Sequence, residues 1–271
     1  MKSVMLHVAD DAGFSGRLQV ALDLVREFDG HLTCLQPVAF EMIFTGEFYG
    51  APSAIVMETA YKRARDHRHE VEAHLAKEDV TWTWVSETSG AQGTLLDNAC
   101  LHDVAVLSAF GDGETGGRIS PLVGGVAIHA RTPVLVVPPD CSGIDIDRPA
   151  LVAWNGSVEA ANALRSTVPV LRRASSVYLV AVSETSGSAE LGLTTTEAAE
   201  YLSLHGVASE VVELPVDANG IAHSLLQAAV IRGAGCIVMG AYGHSRLRET
   251  IFGGVTREML SRTEIPLLMA H

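Results

Sequence analysis

The residues of this chain best suited to chemistry are glycines. Late in the sequence Gly240-Ala241-Tyr242-Gly243 is followed, after nine residues, by Gly253-Gly254-Val255-Thr256. Gly240 closes an apolar run, Cys236 to Met239, of the kind that forms a buried strand. Without a Cβ, backbone at such a point can approach a ligand closely. The second pair of glycines opens a helical stretch, Val255 to Arg262, whose first N–H groups have no partner within the helix. Together with the helix dipole, those N–H groups suit a phosphate. Thr256 adds a hydroxyl in the first turn, and Arg246 and Arg248 lie in the intervening loop. Phosphate binding is the chemistry this spacing offers; the plainer alternative is a glycine-rich turn that only joins strand to helix.

Other chemistry is absent. No Gly-Lys-Ser/Thr pattern supplies a P-loop lysine with a magnesium-binding hydroxyl, and no Gly-x-Ser-x-Gly forms a nucleophile elbow. Several histidines fall in charged helices or loops and read as solvated surface residues; His67 and His69 are two apart, the wrong spacing for one helical face. No catalytic or metal-ligating residue is therefore assigned, and a bound nucleotide would at most be hydrolysed slowly. The cysteines are far apart, and Cys34, Cys100 and Cys236 lie in or beside apolar runs, which predicts buried free thiols. A net charge of −13 argues against nucleic acid and anionic membranes as partners. Met1-Lys2-Ser3 leads into a short run that meets Asp10-Asp11 at once, unlike a signal peptide, and no apolar stretch reaches about 18 residues. The expected location is the cytoplasm.

These glycines need elements to position them, and the elements occur twice. Val4 to Asp10 and Ala150 to Ser157 are both β-type runs ending in a small polar turn. Each leads into a helical pattern (Leu18 to Phe28; Ala160 to Leu171) and a second strand (His31 to Leu35; Val177 to Val182). Ser157 or Asn155 is a good N-cap, and Pro169 predicts a kink or early stop. Val104 to Gly111 parallels Cys236 to Gly243, and Gly124-Gly125-Val126 parallels Gly253-Gly254-Val255. Each copy closes with a short helix and a Pro-led strand, at Pro133 and Pro266. The predicted organisation is a first domain at 1–138, a Pro- and Asp-rich linker at 139–148 and a second domain at 149–271. The first copy alone carries an aromatic insert at about 40–53, with Phe40, Phe44, Phe48 and Tyr49, ahead of a charged helix from about Ala54 to Glu78. Alternating strands and helices give an α/β fold of two tandem Rossmann-like domains, each a five-stranded parallel sheet flanked by helices. Ligands of such sheets sit beyond the carboxyl ends of the strands, where strand order reverses. That places Asn155, the end of the strand at Val182, and Gly240 around one crevice.

Over nearly its whole length the sequence resembles the universal stress protein family in its tandem two-domain form. The family signature, Gly-x2-Gly-x9-Gly-Ser/Thr, is matched by Gly240, Gly243 and Gly253, with Gly254 where Ser or Thr is usual; Val255-Thr256 fits the members that bind ATP. The resemblance implies an adenine nucleotide alpha-hydrolase-like fold. It also implies a nucleotide, ATP or a relative with or without Mg2+, held by Ala153, Asn155, Val182, Met239, Gly240, Gly243, Gly253, Gly254, Val255 and Thr256. Adenine would sit near Ala153 to Asn155 and Val182. The family more often has Asp at the position of Asn155, and losing the hydroxyl at position 254 costs roughly 0.5–1.5 kcal/mol of binding. The first copy departs further: Ser108 replaces the first glycine, twelve residues separate Gly111 from Gly124, Ala127 replaces the threonine, and Asp112 and Glu114 enter the loop. The expected function is a cytoplasmic stress-response protein that binds adenine nucleotide in its second domain as a ligand-linked regulatory module. The two final strands would pair as sheet edges into an intramolecular pseudo-dimer, and whole chains into a homodimer. The alternative is a nucleotide-independent dimeric scaffold whose insert recruits a partner.

Overall fold

The computed structural model describes residues 1–38, 54–110, 119–183, 192–241 and 254–271. The aromatic insert, Gly243, Gly253, Arg246, Arg248, Asp112 and Glu114 lie outside them. The first half runs β1 (Ser3–His7), α1 (Phe14–Glu27), β2 (His31–Pro37), α2 (Ala54–Leu75), β3 (Thr81–Glu87), α3 (Ala91–Ala99), β4 (Val104–Ser108), α4 (Pro121–His129) and β5 (Val134–Val137). The second runs β6 (Ala150–Trp154), α5 (Val158–Leu171), β7 (Val177–Ser183), α6 (Thr195–Leu204), β8 (Ser209–Pro215), α7 (Ile221–Ile231), β9 (Cys236–Gly240), α8 (Gly254–Arg262) and β10 (Leu267–Ala270).

All ten strands join one sheet in the order β3-β2-β1-β4-β5-β10-β9-β6-β7-β8. Every neighbouring pair is parallel except β5 with β10, which is antiparallel with Leu268 opposite Leu135. Both strands of that central pair are buried, as expected of short Val- and Leu-rich runs covered on two faces. The single antiparallel step has a consequence for function. It turns the carboxyl ends of β1–β5 to one end of the sheet and those of β6–β10 to the other, so the two possible ligand crevices point in opposite directions.

Alternation along the strands divides the apolar side chains into two cores. Val4, Leu6, Val152 and Val238 face α1, α2, α5 and α6; Met5, Leu107, Leu151 and Ile237 face α3, α4, α7 and α8. Each core is continuous across both halves. The segment read as a linker belongs to the first of these cores: Ile144 and Ile146 are buried, and the Ile144 N–H donates to Asp23 Oδ2 at 2.9 Å. Gly16 on α1 is forced by this packing, because a Cβ there would lie 2.1 Å from the Cys141 carbonyl oxygen.

Several local expectations are corrected. Helix α1 starts at Phe14, a turn before Leu18, because Phe14 and Arg17 are both buried on its inner face. Helix α5 continues past Pro169 to Leu171, since the proline falls in its last turn and Val168, Val170 and Leu171 are buried around it. Ser157 is the N-cap of α5, its hydroxyl accepting from the Ala160 N–H at 3.1 Å; Asn155 is not. Cys34 and Cys236 are buried and their thiols are pushed up to about 12 by burial, but Cys100, at the exposed end of α3, is not buried. No helix among the described residues is long and apolar enough to cross a membrane.

Candidate functional site

The crevice of the second half opens where β6 and β9 lie side by side and their following helices leave to opposite faces. β6 sends the chain into α5 on one face; β9 sends it toward α8 on the other. Ala153 and Met239 are register partners across this boundary and lie on the α8 side, as does Val182 near the end of β7. Ala153 and Val182 are half-buried and Met239 is buried, so together they give the crevice an apolar wall.

The turn after β6 has a fixed internal geometry. Asn155 Oδ1 accepts the Ser157 N–H at 3.2 Å, and Gly156 adopts a left-handed φ of 75°. The Gly156 carbonyl accepts the Leu193 N–H at 3.0 Å, while the Trp154 indole N–H donates to the Leu193 carbonyl at 3.0 Å. A Cβ at Gly156 would fall 2.7 Å from that same carbonyl. The stretch entering α6 is thus clamped onto the β6 turn, with exposed Asn155 between the two clamping residues. Sequence reasoning missed Trp154 and Leu193, because no local pattern signals a contact spanning 39 positions.

Helix α8 begins at Gly254 with no acidic residue in its first turn. Gly254 is exposed, and a Cβ added to it would meet nothing within 4 Å. Val255 is half-buried, and Thr256 is buried rather than displayed at the surface. Gly240 differs from the sequence reading. A Cβ there would lie 2.5 Å from the Ala160 N and 2.7 Å from the Glu159 carbonyl carbon. Its missing side chain makes room for the first turn of α5. Among the described residues no group of three or more His, Cys, Asp or Glu side chains is arranged to hold a metal ion.

The first half carries a buried charge cluster at the carboxyl ends of its strands. Arg17, on α1, is fully buried at the carboxyl ends of β1 and β4. Its Nε donates to the His7 carbonyl at 2.7 Å, its terminal nitrogens take both oxygens of Asp11 at 2.9 and 3.1 Å, and Nη1 also donates to Ser108 Oγ. The guanidinium lies over the Phe14 ring at 5.4 Å. At the helix that would face a phosphate, the Ser120 hydroxyl accepts the Leu122 N–H and Pro121 contributes no N–H at all.

Two histidines lie near Arg17, and one of them, His67, is not the solvated residue the sequence suggested. His67 packs edge-on against Phe14 with ring centroids 4.7 Å apart, and its side chain is only 10% exposed. His7 ends β1 buried, and burial first, with the nearby Arg17 charge second, lowers its pKa from 6.5 to about 3. In the unfolded chain the same imidazole binds a proton below pH 6.5, so folded stability falls as pH drops from 6.5 toward 3. Between pH 6.5 and 5.5 this one group should remove about 1 kcal/mol. Urea denaturation of wild type and His7→Leu at both pH values measures it: the variant should lose that share of the pH dependence, and equal slopes would reject it.

With this geometry in view, comparison with known proteins is decisive for the second half. The model of the universal stress protein family matches residues 148–271. Residues 148–271 belong to the universal stress protein family. A universal stress protein from Archaeoglobus fulgidus, solved by crystallography, is 16% identical with a TM-score of 0.74, covering 99% of this chain and 96% of that one. A second, from Pseudomonas aeruginosa, is 14% identical with a TM-score of 0.62, covering 100% of this chain and 93% of that one. A functionally uncharacterised Pseudomonas aeruginosa protein is 15% identical, with the same TM-score and coverage of 100% and 92%. A search of curated proteins returns no match. The universal stress protein fold thus extends over both halves, and the family model matches the second.

Proposed function

We propose that the chain is a tandem universal stress protein, with domains at 1–138 and 149–271, whose second domain binds ATP or another adenine nucleotide. The observation that carries the reading is the asymmetry of the two crevices. At one helix N-terminus Gly254 leaves open space where a Cβ would lie and the first turn holds no acidic residue; its counterpart is capped by Ser120, and a buried Arg17–Asp11 pair lies in the same half. The nucleotide would use the apolar surface of Ala153, Val182 and Met239 for its base, the β6 turn at Asn155 for its sugar, and the backbone of Gly240, Gly254, Val255 and Thr256, with Gly243 and Gly253, around its phosphates. Mg2+ bound with the nucleotide would neutralise part of its phosphate charge. The protein acts in the cytoplasm as a stress-response module, and nucleotide changes its behaviour by favouring the conformation that binds it better. Pairing of β5 with β10 makes each chain its own pseudo-dimer.

Thermal unfolding with millimolar ATP and Mg2+ tests this, because a ligand that binds only the folded state raises Tm by mass action. Two variants at position 254 sharpen the test, since added atoms there meet open space. Gly254→Asp places a carboxylate in the first turn of α8; it should fold normally yet abolish the ATP shift. Gly254→Ser adds a hydroxyl donor and should raise affinity about tenfold. An ATP shift that survives Gly254→Asp unchanged rejects the site. The capped start of α4 favours a second reading for residues 1–138, that of a nucleotide-independent scaffold.

A further inference from the structure

Two strands of the sheet have a neighbour on one side only: β3, paired with β2, and β8, paired with β7. Each is seven residues long and leaves a row of backbone N–H and C=O groups facing outward. The final strands β5 and β10, which a second copy could otherwise use, pair with each other inside the chain. Any extension of the sheet must therefore use β3 or β8.

Charge is distributed unevenly between these two edges. Residues 174–231, which span β7, α6, β8 and α7, hold seven Asp and Glu and not one Lys or Arg. Glu200 on α6 and Glu210 and Glu213 on β8 are exposed and have no ion pair among the described residues. The other edge carries the densest basic run of the chain. Lys62, Arg63, Arg65 and Arg68 fall within seven positions of α2, with Asp66 the one acid among them. Lys62, Arg63 and Arg65 are exposed and without ion pairs among the described residues. Arg68 lies over the Trp84 ring of β3 at 5.4 Å, which puts the basic run beside that edge. Both sets of charge lie on one face of the sheet. α2 and α6 cover the same core through Val71, Leu75, Ala198 and Leu202. Val211 and Glu213 point to that side too, because Val212 and Leu214 pack against the other core.

We propose that copies of this chain associate head to tail, β8 of one adding to β3 of the next. β3 and β8 run in opposite directions within the sheet. A copy placed by continuing the sheet, with its faces unchanged, thus meets its neighbour through an antiparallel pair, the same kind of step as β5 with β10. That placement brings Glu200 and Glu213 to the basic run of α2. It also sets Val211, 42% exposed, on the side of Trp82 and Trp84. The two self-pairings do not match in charge: β3 on β3 sets basic run against basic run, and β8 on β8 sets acid against acid. A head-to-tail contact of this kind does not close at two, so assemblies grow with concentration.

Sedimentation velocity of the full chain over a concentration series, at about 0.02 M and about 0.5 M NaCl, is the test. Species larger than a dimer should build up with concentration at low salt. Association should weaken about tenfold or more at high salt, where exposed charges are screened. Lys62→Glu with Arg65→Glu and, separately, Glu200→Lys with Glu213→Lys should each stay monomeric at low salt. All four side chains are exposed, so circular-dichroism melting of both variants should match wild type. Mixed in equal amounts the two variants should associate again, since each reversed surface meets its complement on the other. A wild type monomeric throughout at low salt, an association that ends at the dimer, one that both variants leave intact, or a mixture that stays monomeric would overturn the proposal.

Discussion

Arg17→Met should destabilise the protein by about 3–5 kcal/mol, the usual effect of removing one member of a buried ion pair. Asp11, only 8% exposed in its side chain, would keep its charge with no cation beside it. The His7 carbonyl and Ser108 Oγ would each lose a donor in a buried setting. The leftover charge, rather than the lost attraction, is the larger cost. A double variant, Arg17→Met with Asp11→Leu, should recover most of the loss, since an apolar pair of similar size can replace a buried ion pair at little expense. Urea denaturation followed by circular dichroism reads both. A single variant that costs less than about 1 kcal/mol would show that Arg17 is dispensable to the first half.

Gly240→Val should cost about 3 kcal/mol, at the upper end of overpacking, because the new atoms meet backbone rather than a movable side chain. The contacts at 2.5 and 2.7 Å belong to the first turn of α5, whose position is fixed by the Ser157 cap and the core behind it. The first half solves the same close approach with the residues exchanged: Ser108 stands at the strand end, and Gly13 lies opposite, where a Cβ would fall 2.7 Å from Ser108 Oγ. A Gly240→Val protein as stable as wild type would mean that α5 can shift, and the role given to this glycine would be withdrawn.

The glycine spacing marks the end of β9 and the start of α8, and the two glycines differ there in what surrounds them. A Cβ at Gly254 would meet open space; Gly240 is a packing glycine. Both look alike in sequence because each sits where strand meets loop. What a glycine avoids depends on the element packed against it, and for Gly240 that is a helix some 80 positions away. Arg17 was overlooked for a similar reason. A charged residue in a helical pattern reads as solvent-facing, and only its partners, drawn from β1, the following turn and β4, make its burial tolerable.

By itself the sequence determined the elements and their repetition. Runs such as Val104 to Ser108 and Cys236 to Gly240 can only be buried strands, and helical periods between them force parallel crossovers. Those are local and periodic properties, written in neighbouring residues. The tertiary structure alone decided that the step joining the two halves is antiparallel, that their crevices face opposite ends, and that Arg17 is buried among partners from β1, the following turn and β4. Each of these depends on contacts between residues far apart in the chain, where the outcome is set by which surfaces fit and which buried groups find partners.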